Sequence, residues 1–118
     1  MNIDNLPSGE SLANWQVKDP GNAGAISVVQ SGTVLLVTTA AQTRTLARPL
    51  FLGQLLQLDL QTDGGDCVVT VTGTINQTGN NTITLDDAGD TVLLIGSQSG
   101  ATKQWVVVVN NGCTLATV

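Results

Sequence analysis

From Asn80 to Leu115 the chain alternates apolar runs with short turn clusters, and this rhythm constrains the fold more than any other feature. Ile83 and Leu85 alternate with Thr82 and Thr84, which is the period of a half-buried strand. Asp86-Asp87-Ala88-Gly89-Asp90 supplies turn chemistry, Thr91 to Ile95 resumes the apolar run, and Ser97-Gln98-Ser99-Gly100 breaks it. Trp105 to Val109 is a continuous block of valines headed by tryptophan, the pattern of a strand covered on both faces. Asn110-Asn111-Gly112 reads as a hairpin turn, because Asn and Gly accept the positive φ such turns need. Thr114 to Ala116 is then the returning strand, and the whole stretch is expected to be a β-meander.

The upstream chain carries the same punctuation. Ile26 to Gln30 and Thr33 to Thr38 read as two short strands around a Ser31-Gly32 hairpin loop. Thr39 to Ala47 is small and polar, and Pro49 marks an edge or the start of a strand, since it has no N–H to donate. Between Gln54 and Gln61, Leu56, Leu58 and Leu60 take one face while Gln57, Asp59 and Gln61 take the other, leaving Leu55 on the polar side as a small exposed contact. Thr62-Asp63-Gly64-Gly65-Asp66 is a turn, after which Cys67, Val69 and Val71 oppose Val68, Thr70 and Thr72. Eight or nine strands at near-regular turn spacing, with no repeat of solenoid length, predict an all-β fold: an antiparallel β-sandwich, jelly-roll-like or Greek-key. The domain spans residues 26–118. Residues 1–25 lack both periods and are expected to form an extended N-terminal arm. That arm is either a loosely docked terminus or a partner-binding element, with Ile3, Leu6, Leu12 and Trp15 as contacts and Trp15 as anchor.

At 118 residues the chain makes one domain with a modest core. Hydrophobic residues reach 42% but aromatics only 3%, so the core is expected to be Val, Leu and Ile around Trp15, Phe51 and Trp105. Charged residues are only 11%, which leaves the surface to Thr, Asn, Gln, Ser and Gly and suits a protein packed among partners. Net charge is −5, and the basic residues Lys18, Arg44, Arg48 and Lys103 are scattered, which argues against nucleic-acid binding. No apolar run reaches the roughly 18 residues of a membrane span, and the N-terminus lacks the basic and apolar regions of a secretory signal. The expected site of synthesis is the cytoplasm. Cys67 and Cys113 are expected to be free thiols packed as small hydrophobes, although the sequence also permits a bridge.

Motifs for chemistry are weak. Histidine is absent, which removes the commonest general base and the commonest zinc ligand together. Asp59, Asp63, Asp66, Asp86, Asp87 and Asp90 leave a carboxylate-only hydrolase formally open, but its sugar cleft would need more aromatics than three. Asp86-Asp87-Ala88-Gly89-Asp90 lacks the spacing of a calcium-binding EF-hand loop and reads as a β-turn whose carboxylates bond their own backbone. The expectation is no enzyme, no cofactor and no metal.

A resemblance enters on particular residues. Thr43-Arg44-Thr45-Leu46-Ala47 with Pro49, Gly53-Gln54, Thr62-Asp63-Gly64-Gly65-Asp66, Thr82-Ile83-Thr84-Leu85 with Ala88-Gly89-Asp90, and Trp105-Val106-Val107 with Asn111-Gly112 resemble a small β-rich family encoded by tailed bacteriophages. The likeness runs over roughly residues 40 to 115, outside the N-terminal arm, and Cys113 stands where an apolar residue is expected. It implies a decoration or cement protein on the virion's capsid surface, with the major capsid protein as partner, clamping neighbouring subunits. Similar modules in fibre proteins imply the alternative, a fibre or baseplate-associated adhesion module. A specific interface buries about 1,200–2,000 Å², so a chain this small is expected to self-associate, as a trimer at local threefold positions or, second, as a dimer. Binding only the assembled shell would stabilise it by mass action.

Overall fold

The computed structural model describes residues 15–76 and 79–118, and these fold as two facing β-sheets with no helix among them. Strands β1 (Gln16–Val17), β3 (Gly32–Val37), β5 (Leu55–Thr62), β8 (Thr91–Ser99) and β9 (Thr102–Asn111) form the first sheet in that order. The second, in spatial order, is β10 (Thr114–Ala116), β7 (Thr82–Leu85), β6 (Cys67–Val71), β4 (Gln42–Leu46) and β2 (Gly24–Ile26). The protein is an all-β sandwich.

The sheets are mixed, which corrects the antiparallel expectation. From β1 to β6 successive strands lie in opposite sheets, so the neighbours β1–β3, β3–β5, β2–β4 and β4–β6 are all parallel. A parallel pair needs a crossover to bring the chain back to the same end, and here a strand of the facing sheet serves as that crossover. The chain therefore winds as a flat coil of three turns before the antiparallel pairings β5–β8, β8–β9, β6–β7 and β7–β10 complete the sandwich.

Local expectations change accordingly. Residues 82–116 are not a meander, because β7 and β10 belong to one sheet while β8 and β9 belong to the other. Neither expected hairpin loop forms: Gly32 opens β3 and Asn110 and Asn111 end β9, with the chain crossing between sheets at 27–31 and 112–113; the β8–β9 hairpin closes at Gly100-Ala101, between the paired Ser99 and Thr102. The stretch after Thr39 supplies β4, hidden in the sequence because Arg44 occupies an inward position. β1 and all but the last residue of β2 fall within the stretch assigned to an arm, so among the described residues that stretch already contributes to both sheets.

Between the sheets lie Leu56, Leu58 and Leu60 of β5, Val34 and Leu36 of β3, and Cys67, Val69 and Val71 of β6, all but excluded from water. Each such aliphatic side chain stabilises the fold by about 1.5–3 kcal/mol. Trp105 is the single aromatic in this core; it faces Gly96 across the β8–β9 ladder and its indole N–H donates to the Ala47 carbonyl at 2.9 Å. Trp15 and Phe51, expected inside, are 53% and 45% exposed. Cys67 and Cys113 are buried, unbridged thiols. The valine block of β9 is covered on neither side at its end: β9 is an edge strand, and Val108 and Val109 are about half exposed.

Candidate interaction surface

The outer faces of the two sheets differ in chemistry. Outward rows of the second sheet hold Thr43, Thr45, Thr70, Thr84 and Thr114, hydroxyl-bearing side chains suited to water, with Val68 between Thr43 and Thr84. Outward rows of the first sheet hold Leu55, Ile95 and Val106 side by side in one register, Leu93 and Val109 beside Thr33 and Gln57 in the next, and Leu35 beside Asp59, Thr91 and Asn111 in the third. Asp59 is the one ionisable side chain in those rows, and its Oδ1 accepts a hydrogen bond from the Thr91 hydroxyl at 3.3 Å.

This face runs into an apolar rim. Leu50, Phe51 and Leu52 are three consecutive exposed hydrophobics in the turn before β5, and Val29 is exposed on the β2–β3 crossing. Trp15 stands as a ridge between two clefts. One, of about 460 Å³, is floored by Thr33, Leu35, Leu55, Gln57 and Leu93; the other, of about 530 Å³, is lined by Trp15, Val29, Gln30, Ser31 and Phe51. A patch of this kind marks a binding surface more often than single exposed side chains do.

A buried glutamine positions the rim. Gln54 is wholly inaccessible; its Oε1 accepts from Leu50 N at 2.8 Å, and its Nε2 donates to the carbonyls of Val28 at 2.8 Å and Gln30 at 3.2 Å. One side chain thus holds both walls of the Trp15 cleft. Ser31 Oγ accepts from Leu55 N at 3.0 Å, which ties the same crossing to the start of β5.

The charged residues form structure elsewhere. Asp86, Asp87 and Asp90 present carboxylate oxygens within 4.8 Å of one another. Asp90 Oδ2 accepts from the backbone N–H groups of Asp86 and Asp87, both at 3.0 Å, the self-bonded turn expected from the sequence. Burial pushes the Asp90 carboxyl up, but these backbone donors outweigh it and hold the group below its ordinary value; hydrogen bonding to Asp90 raises Asp86. Asp63 Oδ1 accepts from Gly65 N at 3.1 Å in the turn that packs on Thr38–Ala41.

Of the residues singled out in sequence, Trp15 lies on this surface, while Ile3, Leu6 and Leu12 lie outside the described residues. Leu50, Phe51, Leu52 and Val29 were not anticipated. Their signal was Pro49-Leu50-Phe51-Leu52-Gly53, a run of three apolar residues that cannot all face inward at a strand's period of two. Compared with known proteins, the chain matches no protein-family model and no curated protein sequence.

Proposed function

We propose that the protein is a structural component of a phage virion, a capsid decoration or cement protein that binds the assembled head and clamps neighbouring copies of the major capsid protein. The observation that carries this reading is the uncharged rim of Trp15, Val29, Leu50, Phe51 and Leu52, held by Gln54 on a chain of net charge −5. Residues 1–14, with Ile3, Leu6 and Leu12, enter the described fold at Trp15, and in this reading they extend onto the shell beside that rim. β10 returns beside β7 after two strands in the other sheet, which favours the Greek-key form of connection for the C-terminal half. The oligomer takes one of the two closed forms, trimer or dimer.

The test is binding to purified, DNA-filled or empty heads, read by co-sedimentation and by cryo-EM of the decorated particle. Ordered density repeating over the capsid lattice is the expected result, with Phe51→Lys and Leu52→Asp abolishing it. Absence of lattice density with the protein present overturns the reading. One observation favours the adhesion module instead: Trp15 and Phe51 line a single cleft with Gln30 and Ser31, a pairing suited to stacking on a sugar ring. Glycan-array binding lost in Trp15→Ala, together with density at a fibre or baseplate, would establish that alternative.

A further inference from the structure

We infer that the outer face of the first sheet is a self-association surface, on which a second copy of this chain packs face to face as a twofold dimer. The inference deepens the clamp reading, which requires an oligomer, and rests on it for biological purpose only. Three features point to a copy of the same chain.

The first is the contrast between faces. A sheet meeting water on its outer side alternates apolar-in with polar-out, as the second sheet does with its threonines. The first sheet instead carries Leu35, Leu55, Leu93, Ile95, Val106 and Val109 outward among Thr33, Gln57, Asp59, Thr91 and Asn111, so aliphatic side chains take about half of a face that would otherwise be polar.

The second is charge. The chain carries −5, so two copies repel wherever their acidic turns approach. Asp63, Asp66, Asp86 and Asp87 lie in turns at the strand ends, and within the outward rows only Asp59 is ionisable. A face-to-face pair therefore brings together neutral surfaces and keeps most of the charge at its perimeter.

The third is shape and area. Four strands at about 4.8 Å spacing and six residues at about 3.3 Å give about 400 Å² of projected face, which side-chain relief brings above the roughly 500 Å² per partner where specific interfaces begin. Pairing through the edges is obstructed. On the outer edge of β9, Arg48 donates to the Lys103 carbonyl at 3.2 Å, Asn76 N donates to Trp105 O at 3.1 Å, and Val107 N donates to Asn76 Oδ1 at 2.7 Å. At the opposite edge Asp19 Oδ2 accepts from Val37 N at 3.0 Å. With these edge positions already occupied, the face is the more open surface for pairing about a twofold axis.

The experiment is analytical ultracentrifugation of the full chain and of three variants: Ile95→Lys and Leu55→Lys on the face, and Thr45→Lys on the opposite sheet. The expected result is a wild-type dimer that weakens by about 30-fold or more in the face variants, because a lysine desolvated without a partner costs at least about 2 kcal/mol. Thr45→Lys is expected to dimerise as wild type does. Leu55 is already 44% exposed, so Leu55→Lys carries the test even where Ile95→Lys fails a circular-dichroism check of folding. A wild-type monomer at about 1 mM, a concentration at which even a weak interface of this size is populated, overturns the inference. So does a trimer, a dimer indifferent to both lysines, or a monomer that dimerises once residues 1–14 are removed. A monomer that still decorates purified heads overturns the pairing alone; a face-dependent dimer that ignores them overturns the capsid reading and upholds the pairing.

Discussion

Asp19 and Arg44 meet at 2.7 Å at one end of the sandwich, and this pair joins the β1–β2 crossing to both sheets. Arg44 is fully buried on β4 and donates also to the carbonyls of Val37 and Thr43; Asp19 accepts further from Val37 N and Gly21 N. The parallel coil has no hairpins to fix its register, and this cluster supplies a fixed point where strands of both sheets converge. Removing one partner leaves the other desolvated and uncompensated.

Arg44→Ala is therefore expected to destabilise the fold by about 3–5 kcal/mol, measured by urea denaturation at neutral pH. Asp19→Asn leaves the buried Arg44 guanidinium without its carboxylate and is expected to cost a comparable amount. Burial alone would push the Asp19 carboxyl up, but its bonds from Arg44, Val37 and Gly21 prevail and hold it below its ordinary value. The folded pKa is thus below the unfolded one, near 3.9. Its contribution is present above that pH and lost as pH falls through the folded value. Asp19→Asn should flatten the acid limb of the stability profile; an unchanged limb would contradict the assignment.

The two thiols set the opposite limb. Burial pushes Cys113 up to about 12, and it pushes Cys67 up as well, with Arg44 opposing. Unfolded thiols ionise near about 8.5, so the folded pKa is the higher and the stabilisation is complete below that pH. It is lost as pH rises from there towards 12. Urea midpoints should fall over this range, and less so in Cys113→Ala. In the native state at pH 8 both thiols should resist alkylation until urea unfolds the chain.

Gln54 is a test of rim rigidity. Gln54→Leu keeps the volume but leaves Leu50 N without its acceptor and removes the donor to the Val28 and Gln30 carbonyls, at about 1–3 kcal/mol for each group left buried and unpaired. The expected result is a lower urea midpoint together with faster hydrogen exchange at Leu50. Exchange as slow as in wild type would show that the rim does not depend on this side chain.

Much of this was legible in residue order, and the reasons for the remainder are physical. Leu56, Leu58 and Leu60 announce β5, and Cys67, Val69 and Val71 announce β6, because strict alternation is a local signal. Sheet membership is not local. The in-register partners Gln16 and Thr33, Thr33 and Gln57, and Arg44 and Val69 are separated by unequal lengths of chain, so the coil leaves no repeat to detect. β4 was masked by an inward arginine, which breaks the apolar alternation while satisfying its charge with Asp19. Trp15 and Phe51 were assigned to the core by residue type, yet type does not decide which side of a turn a ring takes.

Two glycines separate crowding from backbone strain. A Cβ at Gly65 would run into the backbone of Ala40 and Ala41, whereas one at Gly89 would meet nothing, although its φ is 94°. Gly89→Ala should cost only the left-handed penalty of about 1–2 kcal/mol. Gly65→Ala must displace the Thr38–Ala41 turn and should cost about 1–3 kcal/mol or more as overpacking against atoms that cannot rotate away. Equal urea midpoints for the two variants would show that the turn yields freely.

Asn76 guards the longest free edge of the fold, and its removal should convert a protected strand into an adhesive one. Its φ of 59° lets the backbone N–H reach Trp105 O while its side-chain oxygen accepts from Val107 N, so one residue occupies two ladder positions of β9. Beyond it the exposed Val108 and Val109 continue the edge, with the bulge between the Leu93 and Leu94 pairings turning that end away from a straight ladder. Asn76→Gly keeps the backbone conformation and deletes only the acceptor, freeing Val107 N. Strand edges left unpaired in this way template association with other chains. Light scattering at matched concentrations should therefore show salt-insensitive growth of aggregates in Asn76→Gly and none in wild type, with Val108→Lys in the same background restoring solubility. Aggregation that persists undiminished in the double variant would place the adhesive surface elsewhere than on this edge.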